Sequence, residues 1–109
     1  MPRFKDYIPH GVIPATLLAF NDDFSIDEEA TRAHLAHVSA VDGITAITVN
    51  GHSSEVHACS EDDQKRILDV SLDEVGDRVP LITGVWADDS HEAAKIARWS
   101  EQAGASSLL

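Results

Sequence analysis

Reactive side-chain types in this 109-residue chain are densest over Asn50-Gly51-His52-Ser53-Ser54-Glu55-Val56-His57. A glycine followed by small hydroxyl residues lets backbone amides and O–H groups converge on an anionic group without bulk in the way. A substrate carboxylate or keto oxygen would fit such a cradle. Gly51, His52, Ser53 and Ser54 are therefore the expected substrate contacts, and the Ser53 hydroxyl is the expected catalytic group. His52 can add a substrate contact or a proton transfer, since an imidazole titrates near neutrality. The plain alternative is a solvated polar turn.

Other chemistries fit these residues less well. Ser53 with His52 or His57 and Glu55 has the composition of a hydrolytic triad, but neighbours in one loop seldom reach base-to-nucleophile geometry. There is also no Gly-x-Ser-x-Gly elbow. His52 and His57 flank Glu55 outside the His-Glu-x-x-His register of zinc hydrolases. His34 and His37 lie three apart on a predicted helix, with no carboxylate placed to complete a site. No metal and no cofactor is expected. The single cysteine, Cys59, excludes an internal disulfide and is expected to be a small, half-buried side chain.

The elements around this loop set its position. Apolar, β-branched-rich runs at Val12–Phe20, Ile44–Val49 and Val79–Val85, with another beginning at Ser106 and reaching Leu109, predict strands. They are near-continuous rather than alternating, as in strands covered by helices. Three helices are predicted between them. The first, over Asp27–Val41, has Ser25 as a capping residue three positions before Glu28, and an apolar side from Leu35, Val38 and Val41. The second opens at Ser60 with Glu61, Asp62 and Asp63, continues through Leu68, Leu72 and Val75, and stops at Gly76. The third opens at Asp89-Ser90, presents Ala93, Ile96, Ala97 and Trp99, and ends at Gly104. Trp86, after the third strand, could line a pocket, whereas Trp99 is expected in the core. Thr83-Gly84 marks a close approach of neighbouring strands.

The resulting order is β-α-β-α-β-α-β, with strand starts near residues 12, 44, 79 and 106, spaced by 32, 35 and 27 residues. One βα repeat takes about 30 residues. Parallel strands with right-handed crossovers give a doubly wound sheet or a barrel. The connector Ala19-Phe20-Asn21-Asp22-Asp23 is acidic and lacks a Gly-x-Gly-x-x-Gly or Walker-type loop, which disfavours a nucleotide-binding domain. The expected fold class is α/β, the N-terminal part of a (β/α)8 TIM barrel, about three and a half βα units long. Residues 1–109 read as a single incomplete domain, with 1–10 as an N-terminal tail and 11–109 as the βα units. Such a barrel needs eight units and about 250 residues.

Charge narrows the partners. Nineteen acidic against eight basic side chains give a formal net charge of −11, so neither nucleic acid nor an anionic membrane is an expected partner. Met1 to His10 lacks the apolar core of a signal peptide, and no later run approaches the roughly 18–20 apolar residues of a spanning helix. A cytoplasmic location is expected.

Val12-Ile13-Pro14-Ala15 through Phe20, Asn21-Asp22-Asp23, Ser25-Ile26-Asp27, Gly51-His52-Ser53-Ser54-Glu55, Ser60 with its acids, and Val79-Pro80-Leu81-Ile82-Thr83-Gly84 follow in one order. Together they resemble the dihydrodipicolinate synthase and N-acetylneuraminate lyase family, from Gly11 onward. The resemblance implies a (β/α)8 barrel that forms a Schiff base between a lysine and pyruvate or a related 2-oxo acid, making or breaking a carbon–carbon bond. The family's usual Gly-Thr-Thr-Gly-Glu stands here as Gly51-His52-Ser53-Ser54-Glu55. Ser53 falls on the second threonine, whose hydroxyl and amide hold the substrate carboxylate and join a relay with tyrosine.

His52 replaces the first threonine and Ser54 a glycine, which implies a narrower, more polar pocket. Leu18-Ala19-Phe20 stands where the family often has Thr-Pro-Phe. The family's lysine at the end of the sixth strand and its tyrosine after the fifth both lie beyond Leu109. Lys5, Lys65, Lys95 and Tyr7 are not placed to substitute for them.

The implied function is a lyase or aldolase whose N-terminal part alone should be inactive. The whole protein is then a homo-oligomer, dimer or tetramer. The competing reading is a non-catalytic βα module that binds a partner or a small anion.

Overall fold

Each helix starts where a side chain takes over backbone donors that a helix leaves free at its N-terminus. The computed structural model describes residues 1–109, with α1 over Glu28–Ser39, α2 over Glu61–Val75 and α3 over Ser90–Ala103. Ser60 caps α2 in a full capping box. Its hydroxyl accepts from the Asp63 N–H at 3.1 Å, and the Asp63 carboxylate accepts from the Ser60 N–H at 3.2 Å. Asp89 caps α3, accepting from the Glu92 N–H at 2.8 Å.

The start of α1 departs from expectation. Its cap is Asp27, which accepts from the Ala30 N–H at 3.0 Å, because Ser25 is already engaged. The Ser25 N–H and hydroxyl donate to the Asp23 carboxylate at 3.0 and 2.5 Å, and these bonds hold that carboxyl below its ordinary range. Ser25 thus closes the Asn21–Ser25 turn rather than opening the helix. At the other end α1 stops at Ser39, so Val41 is 53% exposed while Leu35 is buried.

The strands β1 (Ile47–Val49), β2 (Leu81–Thr83) and β3 (Ser107–Leu108) form a parallel sheet in sequential order. The first apolar run is not a continuous strand. It joins β1's side of the sheet only by parallel bridges, Val12 with Ile44 and Ala15 with Thr48. Pro14 explains the break. Its carbonyl accepts from the Thr48 N–H at 2.9 Å, but it has no N–H to return to the ladder. Pairing resumes where the Thr16 N–H donates to the Thr48 carbonyl at 3.0 Å.

Side-chain alternation places Ile47, Val49 and Leu81 in one core with Leu35 of α1, Ile67, Leu68, Leu72 and Val75 of α2, and Ala105. Helix α2 touches both α1 and α3 and packs on β1 and β2. Sequential strands with their crossover helices in contact are the winding of a barrel wall; a doubly wound sheet reverses direction and places helices on both faces. Ion pairs stitch the helix layer. Arg66 grips Glu28 with two hydrogen bonds of 2.5 and 2.8 Å, Arg32 meets Asp73 at 2.6 Å, and Lys95 meets Glu61 at 3.0 Å.

The N-terminal stretch is tied down at the opposite end of the strands from the loop of interest. The Met1 ammonium donates to the Glu101 carbonyl at 2.6 Å, and Arg3 Nη1 donates to the Leu72 carbonyl at 2.8 Å. Positive charge there meets carbonyls in the last turns of α3 and α2, where the helix dipole favours it. No helix is long and apolar enough to cross a membrane.

Beyond the strand ends the backbone comes close enough to require glycine. A Cβ on Gly84 would lie 2.1 Å from the Asn50 carbonyl oxygen, whereas one on Gly51 would find its nearest neighbour at 3.8 Å. Gly84→Ala should therefore cost about 3 kcal/mol by forcing the strand ends apart, and Gly51→Ala should cost under about 1 kcal/mol. Urea denaturation of the two variants checks this; equal losses would remove the close approach as the cause.

Acid tests the ion pairs. Hydrogen bonding to Arg66 holds Glu28, and hydrogen bonding to Lys65 and then Lys95 holds Glu61, below the ordinary carboxyl value of 4.5. A carboxyl lowered in the folded state adds stability while it is ionised, and that stability is lost as pH falls from 4.5 through the lowered value. Both groups are exposed, so the effect is small. The melting temperature should fall as pH drops below 4.5, less steeply in a Glu28→Gln, Glu61→Gln double variant. An unchanged slope would show that these pairs play no part.

Candidate functional site

The site begins with the residue that turns the chain out of β1. Asn50 takes a left-handed conformation, φ 55°, which asparagine tolerates better than most side chains. It is buried, and its Nδ2 donates to the Gln64 carbonyl of α2 at 3.0 Å and to Thr83 Oγ1 of β2 at 3.2 Å. One side chain thus fixes where the loop leaves the sheet relative to the next helix and the next strand. The Gly84 N–H completes the junction by donating to the Val49 carbonyl at 2.8 Å.

From Gly51 the loop makes two single turns of 3-10 helix, His52–Ser54 and Val56–Ala58, separated by Glu55 in a left-handed conformation at φ 54°. The Gly51 carbonyl accepts from the Ser54 N–H at 3.1 Å, and the His52 carbonyl from the Glu55 N–H at 3.0 Å. The amides of His52 and Ser53, which open the first turn, have no acceptor within it. Val56, buried, anchors the loop on the core.

The two serines share one partner. Ser53 Oγ donates to the Thr16 carbonyl at 2.8 Å, and Ser54 Oγ donates to the same oxygen at 2.7 Å. Ser53 stays exposed on the loop, but Ser54 is buried at 2% and faces the protein. Thr16 is itself buried and lies after the Pro14 break, where its Oγ1 donates to the Thr48 carbonyl at 3.3 Å. The expected cradle of hydroxyls is therefore an inward clamp joining the loop to the first apolar run, with Ser54 holding it.

The other expected residues divide as follows. His52 and His57 are exposed, and both lean on the indole of Trp86, with ring centroids at 5.6 and 6.1 Å. Asn50, Gly51, His52, Val56, Trp86 and Leu109 surround a concavity of about 240 Å³, together with Gly84 and Val85. The Val85 N–H closes its far side by donating to the Leu109 carbonyl at 2.9 Å. His34 Nε2 accepts from the Leu17 N–H at 3.1 Å, which occupies that ring structurally. Cys59 is half-buried, and burial, with the charges of Asp63 and Glu55, pushes its thiol up, away from the reactive thiolate.

None of the lysines lines the concavity. Lys65 and Lys95 pair with Glu61 on the helix layer at 2.8 and 3.0 Å, and the Glu61 hydrogen bond raises the Lys95 pKa. Lys5 lies exposed in the N-terminal stretch. Two residues that organise the loop, Asn50 and Thr16, were not singled out in the sequence. An asparagine directly before a glycine at a strand end is a recognisable turn signal, whereas the role of the Thr16 carbonyl has no side-chain signature.

The chain is similar to known proteins in both sequence and fold. The model of the dihydrodipicolinate synthetase family matches residues 8–109. The 4-hydroxy-tetrahydrodipicolinate synthase of Salinibacter ruber is 35% identical over 104 residues, covering 95% of this chain and 34% of that protein. Among solved structures, CdNal from Clostridium difficile, in complex with mannosamine, superposes with a TM-score of 0.76 at 29% identity, over 90% of this chain and 34% of that one. The 4-hydroxy-tetrahydrodipicolinate synthase of Methylacidiphilum fumariolicum SolV gives 0.84 at 19% identity, over 93% and 33%, a likeness of fold. The chain spans about a third of the length of the curated relatives it matches. Its sheet and helices are the N-terminal part of a (β/α)8 barrel, and the chain belongs to the dihydrodipicolinate synthase family.

Proposed function

We propose that this chain forms the carboxylate-holding half of a lyase or aldolase site that acts through a Schiff base on pyruvate or a related 2-oxo acid. The amine nucleophile would come from the remaining barrel strands of a longer protein. The observation that best supports this is the division of groups at the mouth. Hydrogen-bond donors gather on the Gly51–Glu55 loop, and every amine sits elsewhere. An amine adds to a carbonyl only when neutral, and Lys95, held by Glu61, is biased toward its protonated form.

Gly51, His52 and Ser53 are the proposed substrate contacts, through the open amides of His52 and Ser53 and the Ser53 hydroxyl. In the unliganded loop that hydroxyl donates to the Thr16 carbonyl. Turning it toward a carboxylate exchanges a neutral acceptor for a charged one, a hydrogen bond roughly twice as strong. The exchange leaves no orphaned carbonyl, because Ser54 still donates to Thr16. Ser54, expected as a substrate contact, serves in this reading as the positioning residue that lets Ser53 move. His52 brings a ring in place of the family's first threonine hydroxyl, so any proton it transfers passes through an imidazole nitrogen. The same reading takes the whole protein to be a cytoplasmic homo-oligomer.

Borohydride reduction with pyruvate, followed by intact mass measurement, tests the mechanism. A longer protein containing this segment should gain one reduced pyruvate on a lysine, and residues 1–109 alone should gain none. Absence of an adduct with any 2-oxo acid in the longer protein would overturn the mechanism. Ser53→Ala in that protein should lower kcat/KM by about 10- to 100-fold, the value of one hydrogen bond to a charged group. An unchanged kcat/KM would remove Ser53 from the site.

A further inference from the structure

Asparagine followed by glycine is among the most chemically labile pairs in a polypeptide, and Asn50-Gly51 stands where the chain leaves β1. The backbone nitrogen of the following residue can attack the asparagine side-chain amide, and glycine has no Cβ to shield that nitrogen. The other asparagine of the chain, Asn21, precedes Asp22, whose side chain supplies the shield. The two asparagines therefore differ in intrinsic reactivity.

The fold opposes the reaction at Asn50. Cyclisation requires the side chain to swing until Cγ faces the Gly51 nitrogen, and two hydrogen bonds hold it elsewhere. Nδ2 donates to the Gln64 carbonyl at 3.0 Å and to Thr83 Oγ1 at 3.2 Å, and both Asn50 and Thr83 are buried. These partners belong to α2 and β2, the elements that follow β1 and pack on it, so the clamp is complete within this chain. Neither product of the reaction fits the junction. An aspartate would set a carboxylate oxygen against the Gln64 carbonyl, acceptor against acceptor. In an isoaspartate the chain runs through the side-chain carbons, and the former main-chain carbonyl becomes a buried carboxylate. That carbonyl is the one whose oxygen would lie 2.1 Å from a Cβ on Gly84, a contact with no space to spare.

We propose that Asn50 is a site of spontaneous deamidation, gated by release of its side chain from Gln64 and Thr83. In the released loop the Gly51 nitrogen bonds to Asn50 Cγ, the Cγ–Nδ2 bond breaks, and Nδ2 leaves as ammonia with the Gly51 proton. Water then opens the cyclic imide at either carbonyl, giving aspartate or isoaspartate. Neither product restores the clamp, so conversion is a one-way loss of the geometry that sets the Gly51 loop. Every protein group in this chemistry belongs to the junction of β1, β2 and α2, whatever substrate the mouth takes.

Peptide mass mapping of the longer protein after incubation at neutral pH reads the two sites separately. Cleavage after lysine and arginine, under mildly acidic conditions, puts Asn50 in the peptide from Ala33 to Lys65 and Asn21 in that from Asp6 to Arg32. In guanidinium chloride Asn50 should convert faster than Asn21. In the folded protein Asn50 should convert about 30-fold more slowly than in guanidinium chloride, the value of two neutral hydrogen bonds. Thr83→Val removes one of them and should speed native conversion about fivefold, with no effect in denaturant. Ile96→Val weakens the packing of α3 by a similar amount away from the clamp and should leave the native rate unchanged. Equal rates in folded and unfolded protein, or an Asn50 no faster than Asn21 in denaturant, would overturn the proposal. A native rate that Thr83→Val leaves unchanged, or that Ile96→Val raises as much, would overturn it too, because the clamp would then not be the gate.

Discussion

Where β1 and β2 end, the Asn50 carbonyl and the Gly84 backbone approach so closely that no side chain fits between them. The loop geometry follows from that contact. Asn50 must turn left-handed, and its buried amide group reaches α2 and β2 together. The chain then leaves the sheet at one defined point, and Gly51 begins the first 3-10 turn with two amides still free of partners within it. A larger residue at 84 would separate the strand ends and shift the loop, the Trp86 indole and the concavity as one unit. The mouth is therefore built on a backbone contact rather than on the polar side chains that make it conspicuous in sequence.

The second fixed point is the Thr16 carbonyl. Two hydroxyls converge on it, one buried and one exposed. The pair couples the first apolar run to the loop after β1, although Pro14 has interrupted the ladder between them. In this arrangement a polar loop can be both rigid and responsive. Ser54 supplies a buried hydrogen bond that would remain if Ser53, as proposed, turned its own to a ligand. A loop with a single serine at this place would lose its tether whenever that hydroxyl turned to a ligand.

Electrostatics separates the two sides of the wall. The helix layer carries the paired charges, Glu28 with Arg66, Arg32 with Asp73, and Lys95 with Glu61. The concavity beside Trp86 carries none. Positive groups are thus spent on holding helices together in a strongly acidic chain. The loop beyond the strand ends accordingly presents amides, hydroxyls and rings rather than paired charges.

Local physics made much of this legible in the sequence. The caps of α2 and α3, at Ser60 and Asp89, follow from neighbours three residues apart, and the βα period follows from the spacing of the apolar runs. The resemblance carried by Gly51 to Glu55, with the runs before and after it, pointed to the family whose model matches residues 8–109. Other features depended on partners distant in sequence. Ser25 looked like the cap of α1 until Asp23 took both its donors, and Val12–Phe20 looked like a full strand although Pro14 cannot return a hydrogen bond. Ser53 and Ser54 looked equivalent, and only tertiary packing separates them, by burying one. Residue types and spacing determined which groups could do chemistry; the acceptor each hydroxyl finds, about 37 positions away, was decided by the folded chain.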